Sequence, residues 1–323
     1  MAGTATPTSG GTASSGPSGS IGAGSAAAYD AWATSGVFSG ETVQASTVEM
    51  QALQSPSMGP TPTPTPGGTQ GPIDPILGLP LVFSLTAAFS GFALAGFGLS
   101  QMASEGGPTE RIHVVGDAVV FEGSYDVESV TSTATGSQAS ESGSYGGHTL
   151  LSSGQGSAML AASENTLITT GSEASDPQAV VEAAIDAAAG SATAYSAEHD
   201  AYADLASVLD AHPITGLAFS PEGPINAGTP TPTPTPSMGG GSSDFLNMSD
   251  FNPEGAIHGY ASGLSSVEGE ATAQIAFRYA SSSEVGDTDA LASGVAPSSN
   301  DVSVASSGSL VLVTAGYADV STL

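Results

Sequence analysis

Residues 76–99 read ILGLPLVFSLTAAFSGFALAGFGL, twenty-four positions without a charged side chain. As a helix rising about 1.5 Å per residue the run would extend about 36 Å, enough to cross a hydrocarbon core of about 30 Å. The alternative is a buried helix of a globular domain, and length weighs against it, because core helices seldom carry so many apolar residues without a polar face. The stretch is therefore expected to be a single transmembrane helix spanning 76–99, with membrane lipid as its partner. Pro80 and the glycines Gly78, Gly91, Gly96 and Gly98 cost helicity, a cost better tolerated in lipid than in water. Ala87, Gly91 and Ala95 are spaced so that two such helices could approach closely, the contact of a homo-oligomer.

Outward from that run the chain is acidic. Arg111 and Arg278 are its only basic residues against 31 carboxylates, giving a net charge of −29 over 323 residues. A field of that sign repels phosphate backbones, which are bound through clustered lysine and arginine, so no nucleic-acid partner is expected. Two readings of the acidity compete. One is adaptation to molar salt, where the screening length falls to about 3 Å and carboxylates hold water without strong mutual repulsion. The other is an ordinary secreted or disordered acidic chain. The loss of lysine from patterned and unpatterned regions alike favours the halophilic reading. With no cysteine the chain has no disulfide framework and no thiolate chemistry.

The first residues, MAGTATPTSGGTASSG, lack a basic region and an apolar run, so any export signal must be the internal segment. Here a class-level resemblance enters. Residues 92–97, FALAGF, resemble the end of the signal region of haloarchaeal surface lipoproteins, whose apolar stretch closes on a Leu-Ala-Gly-Cys box before an exported acidic domain. Phe97 stands where that box has its cysteine. The resemblance covers about a tenth of the chain and implies an externally displayed, membrane-tethered protein.

Composition divides the rest. Residues 1–60 are mostly Gly, Ser, Thr and Ala and are expected to be disordered, apart from a short helix and an extended piece among Tyr29, Trp32, Val37, Val43 and Val48. Residues 61–75 and 227–244 are linkers built on TPTPTP at 61–66 and TPTPTPTP at 229–236, polyproline II spacers of about 3.1 Å per residue. Ser57-Met58-Gly59 and Ser237-Met238-Gly239 flank the two spacers, an echo of duplication or of low complexity.

Between them, 109–226 is expected to be an α+β region. It holds a hairpin turning at Gly116-Asp117, irregular loops or weak edge strands over 124–157, and a strand at 166–170. A helix should start at Asp176-Pro177 and a second should run from Thr193 to Ala211. Residues 245–323 are expected to be β-rich, with the most regular alternation at 271–279 and a hairpin joining 302–305 to 310–314. The fold class expected is thus α+β, a small antiparallel sheet with packed helices, one membrane helix and long disordered Gly/Ser/Thr/Pro-rich segments. Strand, strand, helix and strands on both sides of the second spacer suggest an α+β sandwich, two related halves sharing one sheet.

No residue is assigned a catalytic, cofactor-binding or metal-ligating role. The histidines His113, His148, His199, His212 and His258 include no i,i+4 pair, and the carboxylates around His199 diverge on a helix. Asp287-Thr288-Asp289 opens like a calcium loop but lacks its glycine and closing glutamate. Residues 239–243 lack the Lys-Ser/Thr of a phosphate loop, and no Gly-x-Ser-x-Gly elbow presents a serine. Asn247-Met248-Ser249 is a glycosylation triplet. Arg278 is expected in a salt bridge. The function expected is non-enzymatic, without cofactor: a membrane-anchored acidic surface protein of a halophilic microbe that presents or scaffolds an ectodomain, its C-terminal region extracellular. The alternative is a virion or assembly protein whose apolar segment packs between subunits.

Overall fold

The structure is a computed structural model that describes residues 21, 27–53, 74–103, 107–154, 156–170, 174–209, 212–225, 255–267, 270–299 and 301–318, without the side chains of 53 and 86–90. Both Thr-Pro spacers, their Ser-Met-Gly flanks, residues 239–243, the Asn247 triplet and Ala87 as a small contact residue lie outside what is described.

In chain order the elements are β1 (Val43–Glu49), α1 (Met50–Leu53), α2 (Pro75–Ala95), β2 (Thr109–Val115), β3 (Ala118–Gly123), α3 (Val127–Gly136), β4 (Ser140–Tyr145), β5 (His148–Ser152), β6 (Met159–Ala162) and β7 (Thr166–Thr170). There follow α4 (Pro177–Ala188), α5 (Tyr195–Glu198), α6 (Asp200–Val208), β8 (Ile214–Phe219), β9 (Ile257–Val267), β10 (Glu270–Tyr279), α7 (Thr288–Val295), β11 (Asp301–Ser307) and β12 (Leu310–Tyr317). All twelve strands join one sheet, in the order β11-β12-β10-β9-β8-β1-β2-β3-β7-β6-β5-β4. Each of its pairings is antiparallel.

The connectivity repeats about the β1–β8 pair. β1, β2 and β3 form a meander, α3 follows, and β7 returns beside β3 with β6 outside it. β8, β9 and β10 form a second meander, α7 follows, and β12 returns beside β10 with β11 outside it. The two Thr-Pro spacers fall at equivalent places, one between β1 and β2 and the other between β8 and β9. Among the described residues the first half also carries α1 and α2 before β2, the β4–β5 hairpin between α3 and β6, and α4 to α6 after β7.

Two apolar layers cover the sheet. On one face α2, α3 and α7 pack over Val48, Ile112, Phe121, Leu160, Ile214, Ala273, Ile275, Phe277 and Val313. On the other face α4, α6 and the 3-10 turn Ala28–Trp32 cover Ala45, Val115, Val120, Ile168, Leu217, Ala261 and Ala276. The alternation expected over 271–279 is what sends Ala271, Ala273, Ile275, Phe277 and Tyr279 into the first layer. Asp176 caps α4, its side chain accepting the Ala179 amide, and the helix expected over 193–211 divides at His199 into α5 and α6.

Three expectations are overturned. The sheet is not small, because β1, the extended piece expected within an otherwise disordered region, sits at its centre and joins the two halves. Residues 76–99 are not a single membrane helix: α2 stops at Ala95, and among the described residues no helix is long and apolar enough to cross a membrane. Localisation through a membrane helix is therefore withdrawn, together with lipid as the partner of 76–99. The physical reason is that an uncharged run reports burial without saying in what medium. Here Ile76, Leu77, Leu79, Leu94, Phe97 and Leu99 are all buried in the protein's own first layer.

Close approach of α2 to the sheet depends on Gly216 of β8, where a Cβ would run into the Phe83 ring. Gly216→Val is expected to lift the helix and cost about 1–3 kcal/mol, the range for overpacking. The check is a lower urea midpoint at unchanged slope.

Candidate functional site

The feature that sets this chain apart is α2, a helix apolar on all sides that is laid across β1, β2, β8, β9 and β10. Its start is fixed by Asp74, whose carbonyl accepts the Leu77 and Gly78 amides, with Pro75 in the first turn where a missing N–H costs nothing. The Asp74 side chain is buried, and its Oδ2 accepts the Tyr317 hydroxyl at 2.7 Å and the Ser298 amide at 3.0 Å. These bonds tie the helix to β12 and to the segment after α7. The Tyr317 hydroxyl ionises only well above its ordinary range, because of its burial first and its hydrogen bond to Asp74 second. At the far end the amides of Phe97 and Leu99 return to the Leu94 carbonyl, with Gly98 at φ 72°.

The inner flank of α2 is buried, but the outer flank is not. Leu85 is 40% exposed and Phe92 62% exposed, and they are the large apolar side chains left exposed among the described residues. They stand seven residues apart, two helical turns, and so share one side. Phe92 opens the segment that resembles a lipoprotein signal end, whereas Phe97, at the place of its cysteine, is wholly buried.

A polar cluster occupies the opposite face. β1, β2 and β3 place Glu49, Arg111 and Glu122 in one cross-strand row, and Arg111 bridges both acids at 3.1 and 2.9 Å. Two residues along, His113 is fully buried opposite Thr47, with Nδ1 2.8 Å from the threonine Oγ1 and Nε2 3.3 Å from Glu122 Oε1. Burial holds the imidazole below its ordinary ionisation range. The His113 ring and the Arg111 guanidinium hold the Glu122 carboxyl down to about 2, from an ordinary 4.5. Glu122 thus contributes stability that is fully present above pH 4.5 and is lost as pH falls through about 2. Glu122→Gln is expected to flatten that acid limb in a profile of unfolding midpoint against pH.

Other residues singled out in the sequence have local duties. Arg278 finds its carboxylate in Asp204 at 2.9 Å and also donates to the Tyr279 carbonyl and Ser309 Oγ. Both basic side chains of the chain are therefore engaged in ion pairs. Asp287 is the N-cap of α7, accepting the Asp289 and Ala290 amides, which accounts for the calcium-like spacing. His199 packs against Tyr195 with ring centroids 4.3 Å apart, His148 meets Thr166, His212 donates to Gln274, and His258 donates to the Ser220 carbonyl. Among the described residues no three His, Asp or Glu side chains gather as metal ligands.

Sequence reasoning missed the buried pairing of His113, because Glu122 and Thr47 approach it only through strand register. It also missed Asp30, which is buried beneath α5 and accepts Ser196 Oγ at 2.7 Å, and the adjacent hydroxyls of Tyr29 and Tyr202, which are buried without a protein partner. Such atoms are ordinarily satisfied by internal water.

No family model matches this chain, and no curated protein matches it. Among solved structures it is similar to three crystal forms of TP0453. Form III has 7% identity and a TM-score of 0.44 over 87% of this chain and 91% of that one. Form I has 7% identity and 0.43 over 89% and 93%, and form IV 8% and 0.40 over 89% and 94%. Likeness at that level carries neither fold nor function across.

Proposed function

We propose that this chain is a non-enzymatic scaffold that works within a larger assembly, seating the outer flank of α2 against a neighbouring protein subunit. The observation that carries the reading is the paired exposure of Leu85 and Phe92 on a helix whose other flank is core. Exposed apolar patches on a folded protein mark contact surfaces, and large aromatic side chains contribute most to such contacts. The charge supports a protein neighbour over an anionic one, since both arginines are already paired and the net charge of −29 repels any approaching phosphate.

The reading is tested with a photo-crosslinking benzoylphenylalanine in place of Phe92 in the producing cell. Adducts of discrete mass with protein are expected, and they should disappear in Leu85→Asp. Adducts with lipid alone, or none, would overturn the assignment.

A further inference from the structure

β11 ends the sheet of the second half. It pairs along its length with β12, and among the described residues no strand lies beyond it. The first half shows what occupies the equivalent place. β7 and β12 correspond, each returning beside the third strand of its meander, so β6 and β11 correspond as well. β6 is flanked on its outer side by antiparallel β5, which arrives in the inserted hairpin. Residues 296–300 alone join α7 to β11, and among the described residues the second half has no further strand to place there.

The two edges of the sheet also differ in their defences. β4, at the far edge, carries Glu141, a register break between Glu141 and Gly143, and Gly143 at φ 138°. Bulges and charges of this kind discourage pairing. β11 has an unbroken register, no proline, and a single charged residue, Asp301, at its first position. Val302 and Val304 lean on the first apolar layer from this edge but remain half exposed.

We propose that β11 pairs antiparallel with β11 of a second copy of this chain, about a two-fold axis at Val304. That register pairs all seven residues. It sets Val304 against itself, Val302 against Ser306, Ser303 against Ala305, and Asp301 against Ser307, so that no two charges face each other. It also extends the first apolar layer across the axis, because residues facing one another in an antiparallel ladder share a face. Each copy carries a charge of −29, so the pairing strengthens as salt rises from about 0.1 M to about 1 M and the screening length falls from about 10 Å to about 3 Å. This contact is separate from the α2 flank and does not rest on it.

The chain has no cysteine, which permits a single-cysteine scan of positions 302 to 306 in the full-length protein. Opposed residues lie about 4.5–5.5 Å apart at Cα, within disulfide range, whereas a residue two positions off register is about 8 Å away. Val304→Cys alone should form a homodimer on mild oxidation, and a mixture of Ser303→Cys with Ala305→Cys should form the heterodimer. Should the central cysteine harm folding, paired charges at Ser303 and Ala305 supply a second measurement by sedimentation velocity. Ser303→Asp with Ala305→Asp should weaken the dimer about tenfold through two like-charge pairs, and Ser303→Asp with Ala305→Lys should restore it. No cross-link, a maximum elsewhere in the scan, equal loss in both charge variants, or β11 amides protected in a monomer by the chain's own remaining segments would each overturn the proposal. Phe92→Asp should leave the Val304 cross-link intact, so that failure of the α2 contact and failure of this one are told apart.

Discussion

Phe97→Ala is expected to destabilise the whole sheet by about 3–5 kcal/mol, the cost of truncating a fully enclosed aromatic side chain. Phe97 is 0% exposed and sits in the first apolar layer with Leu94, Leu99, Val130 and Phe121. The natural probe is Trp32, the only tryptophan, because it lies in the layer opposite α2. A denaturant transition followed by Trp32 fluorescence should shift to lower concentration in the variant, since layers that share one sheet unfold together. Were residues 76–99 an independent membrane anchor, the Trp32 transition would not move.

Asp74→Ala should cost about 2–4 kcal/mol, because it leaves the Tyr317 hydroxyl and the Ser298 amide without the oxygen that accepts both. The residue also starts α2, so the loss falls on the helix and on β12 at once. Asp74→Asn keeps an acceptor oxygen and should recover part of the loss. Tyr317→Phe removes one donor, and combining it with Asp74→Ala should cost less than the sum of the two, the sign of direct coupling. Additive losses measured by urea denaturation would show that the 2.7 Å contact does not hold the helix.

Local patterns were legible where local chemistry decides. The strict alternation at 271–279 became β10, Gly116-Asp117 became the β2–β3 turn with Gly116 at φ 56°, and Asp176-Pro177 opened α4. Gly116 is needed there for a second reason, since a Cβ would run into the Val37 carbonyl. β4, SESGSY, was legible only as one of two alternatives, loop or weak edge strand, because it is an exposed edge strand with no apolar alternation to betray it. β1 was legible as an extended piece, but its central place was hidden because it rests on partners far along the chain, Arg111 to Val115 on one side and Ile214 to Phe219 on the other. The apolar run at 76–99 misled for a different reason. Hydropathy measures the preference to leave water, and a broad sheet with an uncovered face satisfies that preference as well as a bilayer does. The candidate surface was half legible: the apolar helix is visible in the sequence, but which flank stays exposed follows only from its seat over Gly216.

Amide hydrogen exchange of α2 in the native protein tests most directly whether this helix belongs to the core. Residues 77–79, 81–83 and Leu94 should exchange only through global opening, with the same opening free energy as Thr215–Phe219 of β8. Exchange of the helix at a distinctly lower opening free energy, with β8 still protected, would contradict the placement and detach α2 from the fold.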